Sequence, residues 1–256
     1  MPVLADLLAA LSDGSIEVID LTAPLSEETP ILELPPEFGQ TQRFTLSEIS
    51  RYDDRGPAWY WNNFHTGEHT GTHFDAPNHW VTGQDGASID AVPVRDLIAP
   101  AVVLDVTAEV EADPDFLIEV AHLEAFQETH GPLPAGGWLL CRTGWSSRTS
   151  QEDMINNTQT GPASPGMSAA CARWVAEESP LQGIGVETVG TDAGAAHSFD
   201  PPFPCHAFLL GNDKYGLAQL QNLDRLPPTG AVVIAPPLKI VGGSGSPVRV
   251  LALVEG

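Results

Sequence analysis

The apolar positions of the chain alternate between helical and strand spacing, and glycine or proline separates most segments. Four leucines of residues 3–13 recur at helical spacing before Gly14, so this segment predicts a short amphipathic helix. Residues 16–21 read Ile-Glu-Val-Ile-Asp-Leu and predict a strand. Residues 24–38 are rich in Pro and Glu and predict an irregular loop, whereas residues 45–49 are compatible with one helical turn.

Strand and helix patterns take turns through the rest of the chain. The predicted strands are 101–106, 137–142, 183–189, 231–238 and 248–254, and the predicted helices are 119–129, 168–178 and a short one at 217–223. Such alternation is typical of an α/β fold. We therefore expect one α/β domain over residues 1–256, with a mixed β-sheet core flanked by helices and long loops.

The composition restricts the partners. Acidic residues number 34 and basic residues 11, which gives a formal charge of −23. Such a surface repels phosphate backbones and anionic lipids, so neither nucleic acid nor a membrane is an expected partner. The three cysteines include no close pair and predict buried thiols in a reducing compartment. Because the first residues also lack a basic region, the expected location is the cytoplasm.

Potential metal-binding and catalytic side chains are most concentrated in residues 65–80, which hold four of the eight histidines. If the segment is extended, His69, His73 and Asp75 share one face of a strand. Pro77 then breaks the strand, and a turn there would carry His79 back over the same face. Two imidazoles and a carboxylate with an open side predict a divalent metal site, with manganese expected and zinc as the alternative. Histidines that cluster by chance or serve a polar network are the competing interpretation.

Aromatic residues surround this segment in the sequence: Trp59, Trp61 and Phe64 precede it, and Trp80 follows it. Aromatic side chains beside a metal site are often plain core. They also form the walls of pockets for flat rings. Both interpretations stay open, and we treat all four rings as candidate substrate-binding residues.

The run His-Thr-Gly-Thr-His-Phe-Asp-Ala-Pro-Asn-His at 69–79, with Glu68 before it, closely resembles the signature of the cyclase superfamily. That superfamily contains bacterial kynurenine formamidases and isatin hydrolases. Further segments are similar to the isatin hydrolases, and the similarity extends over nearly the whole chain. These segments are residues 35–39, 55–59, 187–194, 214–217, 222–224 and 237–240.

This resemblance implies a swivelling β/β/α fold and a homodimer. It implies that His69, His73 and Asp75 bind the metal and that His79 donates and accepts protons. A distal histidine matches His206, which in dinuclear formamidases helps to hold a second metal together with a glutamate twelve residues later. Position 218 is alanine here, so we expect one divalent ion, with Gln219 as a weak substitute ligand and His206 placed with the substrate-binding residues.

The expected function is hydrolysis of a small aromatic cyclic amide, isatin to isatinate, by metal-activated water. The alternative within the superfamily is a kynurenine formamidase. Outside it, His73, Asp75 and His206 also match the facial triad of a non-haem iron oxygenase. A non-catalytic metal-binding protein is a further alternative. Glu187 and Asp192 receive no chemical role, and the glycine-rich residues 242–245 predict a tight turn.

Overall fold

The structure, a computed structural model, describes residues 2–159 and 161–256. Its α-helices are α1 (Val3–Asp13), α2 (Thr107–Ala112), α3 (Val120–His130), α4 (Gln151–Ile155) and α5 (Ala169–Glu177). Its strands are β1 (Ile16–Asp20), β2 (Thr45–Asp53), β3 (Gly56–His65), β4 (His73–Asp75), β5 (Ile98–Asp105), β6 (Leu117–Ile118), β7 (Trp138–Arg142), β8 (Asn157–Thr158), β9 (Gly161–Pro162), β10 (Gly166–Met167), β11 (Gly183–Val186), β12 (Tyr215–Ala218), β13 (Ala231–Ile234), β14 (Gly245–Pro247) and β15 (Leu251–Glu255). Within the described ranges, every helix is too short or too polar to cross a bilayer.

Nine strands form one mixed sheet in the order β1-β15-β13-β5-β7-β11-β12-β4-β14. The pairs from β5 through β7 and β11 to β12 are parallel, and the remaining pairs are antiparallel. The parallel strands read as apolar runs because both of their faces are buried. The expected α/β class with a mixed sheet is confirmed.

The two faces of the sheet bury different cores. In β7, Trp138 and Leu140 point into a core made mostly of strand residues, whereas Leu139 and Cys141 point into a second core. That second core also takes Leu123 from α3 and Val175 from α5, so the helices cover this face. The alternation of side chains along a strand therefore assigns each residue of β7 to one layer.

The sheet curls until strands from both of its ends reach the same core. Ile19 of β1 and Phe74 of β4 belong to one apolar cluster although they lie far apart in the strand order. A bridge between Thr22 and Leu220 joins the segments that follow β1 and β12. The curl brings residues 21–31 beside β4 and β12, where the histidines lie.

Two local predictions were wrong. Residues 45–49 are the start of β2, because they pair with β3 in a hairpin that one helical turn cannot match. Residues 217–223 are not a helix, since β12 pairs with both β11 and β4 and only Leu223–Arg225 form a 3-10 turn. In both places pairing with distant strands overrides local propensity. The other predicted helices and strands are present, with ends displaced by a few residues.

Candidate metal centre

The carboxylate of Asp75 lies at the centre of the histidine cluster. Its side chain is 2% exposed, with Oδ1 2.7 Å from His69 Nδ1 and 3.4 Å from His73 Nε2. Donor atoms of His69, Asp75 and His79 lie within 4.8 Å of one another. Burial alone raises the pKa of the Asp75 carboxyl, but its electrostatic interactions with the imidazoles of His73 and His69 outweigh burial and hold that pKa far below its usual range. A buried, ionised carboxylate among imidazoles is a site for a cation.

His73 is fixed by the turn that precedes β4. Its Nδ1–H donates to the carbonyl of Gly71 at 2.7 Å, which leaves the lone pair of Nε2 facing Asp75. Gly71 has a φ of 66°, a left-handed conformation that suits glycine. Residues 68–72 therefore form a turn rather than the extended segment that the sequence predicts, and the turn itself brings His69 to Asp75. Burial lowers the pKa of His73 and keeps the ring neutral.

The hydrogen bond of His69 Nε2 explains why the contact between His69 Nδ1 and Asp75 requires a cation. Ser244 donates its hydroxyl to Glu68 Oε2 at 2.6 Å, so its oxygen can only accept from His69 Nε2 at 2.9 Å. A neutral His69 then carries its proton on Nε2 and faces Asp75 with the lone pair of Nδ1. Two acceptors 2.7 Å apart repel each other unless a proton or a metal ion lies beside both. The donor set therefore fits a divalent metal.

His79 returns over this cluster through the turn that Pro77 predicts. Pro77–His79 form a 3-10 turn, and the ring of His79 stacks on His69 with centroids 3.7 Å apart. Burial lowers the pKa of His79 to about 3, so its imidazole is neutral at physiological pH. Within the described chain, nothing hydrogen-bonds to its ring nitrogens, which leaves them available to a water molecule.

Gln219 and Ala218 border the cluster from β12. Ala218 lies opposite His73 in the ladder and is fully buried, so no carboxylate stands at that position. Gln219 is buried with a φ of 51°, a conformation that costs a non-glycine residue about 1–3 kcal/mol and is concentrated at functional sites. Its Nε2 donates to the carbonyl of Pro30 at 2.9 Å, and Oε1 accepts no hydrogen bond from the described residues.

Aromatic rings stand beside the cluster on one side. Trp80 lies 6.2 Å from His79 and 4.8 Å from His206 between ring centroids. Phe203, which sequence reasoning missed, lies 5.6 Å from Trp80. Burial lowers the pKa of His206, but the hydrogen bond to Asp192 together with the charges of Asp192 and Asp75 outweighs burial and raises that pKa above its ordinary value. Trp80, Phe203 and His206 thus form an aromatic wall next to His79.

The other predicted aromatic residues lie on the β2–β3 hairpin instead. Trp59 and Trp61 are 48% and 54% exposed and contact each other edge to face, with centroids 6.5 Å apart. Phe64 stacks on Phe44 beside an open cleft of about 560 Å³. His65 ends the same hairpin and is exposed. Within a single chain, at least over the described residues, none of these three aromatic side chains shares a ring contact with the histidine cluster.

Glu68 and Ser244 are further residues that sequence reasoning missed. The glycine-rich segment, predicted to be a tight turn, begins with one, in which the N–H of Gly243 donates to the carbonyl of Ile240; beyond it Gly245 pairs with Asp75 in β14 and Ser244 contacts His69. A Cβ on Gly245 would lie 2.5 Å from the His69 ring, so glycine is required for this approach. The chain separation of 175 residues between His69 and Ser244 hides the contact from any local pattern.

Comparison with known proteins gives consistent matches. The sequence model of the Cyclase family, described as "Putative cyclase", matches residues 19–193. Isatin hydrolase of Roseibium aggregatum is 45% identical over 255 residues, covering 98% of this chain and 97% of that one. Isatin hydrolase A from Ralstonia solanacearum superposes with a TM-score of 0.97 at 49% identity, covering 100% and 98% of the two chains. An isatin hydrolase bound to the product analogue thioisatinate superposes with a TM-score of 0.96 at 44% identity, covering 99% and 98%.

Proposed function

The chain belongs to the cyclase family, and from that premise we propose that it is a metal-dependent hydrolase that opens the lactam ring of isatin to isatinate. The observation that carries the proposal is the buried Asp75 carboxylate, which lies between His69 and His73, with the neutral ring of His79 stacked on His69. The full-length similarity to isatin hydrolases supports isatin as the substrate.

We propose His69, His73 and Asp75 as ligands of one divalent ion, with the Oε1 of Gln219 as a weaker fourth ligand. A bound ion supplies Lewis acidity, which polarises a carbonyl oxygen and lowers the pKa of water. Ala218 in place of a carboxylate supports one ion rather than two. Imidazole, carboxylate and amide donors suit manganese, with zinc as the alternative.

His79 is the proposed general base and acid. Burial lowers the pKa of His79, so its ring is unprotonated at neutral pH, the state that a general base needs before it takes a proton from water. Hydroxide adds to the lactam carbonyl carbon, and the bond from that carbon to the ring nitrogen breaks. The nitrogen takes the proton back from His79 and becomes the amino group of an aniline, while the carbonyl carbon becomes that of a carboxylic acid, which releases its proton to solvent as isatinate. One water is consumed and one proton is released.

Trp80 and His206 are the proposed contacts of the flat bicyclic substrate, since both rings lie next to His79. Phe203 extends the same wall. Trp59, Trp61 and Phe64 remain proposed substrate contacts only through a second copy of the chain, because their rings are exposed on the hairpin of a single copy.

Purified protein loaded with Mn²⁺ is expected to consume isatin, with the loss of its absorbance and the appearance of isatinate by mass spectrometry. N-formylkynurenine, tested in parallel, is expected to remain. A chelator provides the control, since it removes the ion that activates water. Turnover of N-formylkynurenine alone would make the chain a kynurenine formamidase. Turnover of neither compound would refute both the isatin hydrolase and the kynurenine formamidase hypotheses.

A homodimer is the proposed assembly, and the β2–β3 hairpin supports it. Among the described residues, β2 and β3 pair only with each other, and the hairpin exposes apolar residues on both faces, including Leu46, Tyr60 and Trp61. An isolated two-stranded hairpin is marginally stable in water. Exposed aromatic clusters of this kind are typical of protein interfaces.

Replacing both Trp59 and Trp61 by serine is expected to convert the dimer into a monomer, because their exposed rings would lie in the interface. Size-exclusion chromatography with light scattering measures the mass. Phe38→Ser is the matched control, since Phe38 is also exposed but lies in the loop before the hairpin. A monomeric wild-type protein at micromolar concentration, or an unchanged dimer in the double variant, would contradict the proposal.

We further propose that residues 1–256 act as one domain in the cytoplasm. Pairing of β1 with β15 joins both ends of the chain in one sheet, which supports a single unit. The three cysteines are free and buried, which suits a reducing compartment.

A further inference from the structure

Asp192 forms a buried contact that the catalytic proposal does not use. Its side chain is 5% exposed, and Oδ1 accepts the backbone N–H of Cys205 at 2.7 Å. Oδ2 accepts the backbone N–H of His206 at 3.2 Å and lies 2.5 Å from Nδ1 of the same residue. These contacts hold the carboxylate in one orientation at the start of the π-helical turn His206–Leu210.

The carboxylate determines which nitrogen of His206 faces the substrate. An ionised carboxylate only accepts hydrogen bonds, so Nδ1 must carry a hydrogen. The ring of His206 lies 4.8 Å from Trp80 and 5.4 Å from His79 between centroids. Nε2 has no hydrogen-bond partner in the part of the chain that the structure describes, so it is the nitrogen left for a ligand.

We propose that Asp192 is a positioning residue that holds His206 with a protonated Nδ1 and presents Nε2 to the substrate beside His79 and Trp80. The inference rests on the proposed function, which places the substrate against His206. It concerns the orientation and tautomer of one ring, in the way that outer carboxylates orient functional histidines in other sites. The hydroxyl oxygen of Thr191 lies 3.4 Å from Nδ1, on the same edge of the His206 ring as Asp192.

Asp192→Asn tests the proposal with a nearly isosteric change. The amide oxygen can keep the N–H of Cys205, but the amide nitrogen then faces Nδ1 and favours a bare Nδ1 there. We expect kcat/KM for isatin to fall by about 10- to 100-fold. In a His206→Ala background the same substitution is expected to cost less than about twofold, because a residue that acts through His206 has nothing left to act on.

Glu187→Gln is the matched control. Glu187 is a buried carboxylate that accepts three hydrogen bonds from Thr143 and Ser146 and orients no imidazole. It is expected to lower the melting temperature while leaving kcat/KM of the folded protein unchanged. An equal loss from Asp192→Asn in the wild-type and His206→Ala backgrounds would overturn the proposal.

The protonation of Nδ1 can be observed directly in ¹⁵N-histidine spectra of the zinc-loaded protein, with His206→Ala to assign the signals. The proposal requires a hydrogen on Nδ1 in the wild type and its loss in Asp192→Asn. A bare Nδ1 in the wild type overturns the proposal even if the variant does not fold. If the wild type leaves isatin unchanged, the proposed function fails, while these spectra still decide the role of Asp192.

Discussion

His79→Ala is expected to lower kcat for isatin by about 10²- to 10⁴-fold, the range that general acid–base catalysis contributes. The ring is neutral at physiological pH and free of hydrogen bonds within the described residues, so it is able to take the proton of water. Its loss removes that acceptor and the donor that returns the proton to the leaving nitrogen. Steady-state kinetics with isatin at saturating Mn²⁺ measure the effect.

The amount of Mn²⁺ bound by His79→Ala distinguishes a general base from a metal ligand at this position. Its donor atom lies within 4.8 Å of those of His69 and Asp75, so the geometry also permits a ligand. If His79 is the base, the variant binds Mn²⁺ like the wild type and loses only turnover. His130→Ala, a change of an exposed histidine on α3, controls for general effects. Full activity in His79→Ala would remove this residue from the mechanism, and loss of the ion would make it a ligand.

Whether a structural feature can be predicted from the sequence depends on how many residues separate the side chains that form it. The order of strands and helices follows from local apolar spacing, and residues 69–79 cluster because one turn and one short strand contain them. The contact of His69 with Ser244 closes over 175 residues, and no spacing rule predicts it. Asp192 reaches His206 only because the chain between them folds back, so its sequence neighbourhood looks like an ordinary turn.

The hairpin shows a different limit. Trp59 and Trp61 lie on the same face of β3 and contact each other, but strand alternation says nothing about what each face meets. The sequence places these rings near the histidines because they are close along the chain, whereas β3 carries them away from β4 on a separate two-stranded sheet. Similarly, residues 217–223, which begin inside β12, are predicted to be a short helix when the pairing of β12 with β11 and β4 is not known.

Asp75→Asn is expected to abolish turnover because it removes the only carboxylate among the proposed ligands. In the wild type, Mn²⁺ at about 100 times its Kd stabilises the fold by about 2.7 kcal/mol. For a chain of this length that corresponds to a rise in melting temperature of about 5–10 °C. An amide cannot balance the charge of the ion, so the variant is expected to show little rise. Thermal denaturation with and without Mn²⁺ measures the difference.

Asp105→Asn is the matched control for this experiment. Asp105 ends β5 and pairs with Arg142, and three strands of the sheet separate β5 from β4, so its variant should keep both the thermal response to Mn²⁺ and turnover. The loss of the thermal response is specific to Asp75 because its buried oxygen lies between His69 and His73. In the described chain, neither imidazole has another carboxylate within salt-bridge distance. A wild-type response to Mn²⁺ in Asp75→Asn would place the ion elsewhere and would remove the basis for metal-activated water at this cluster.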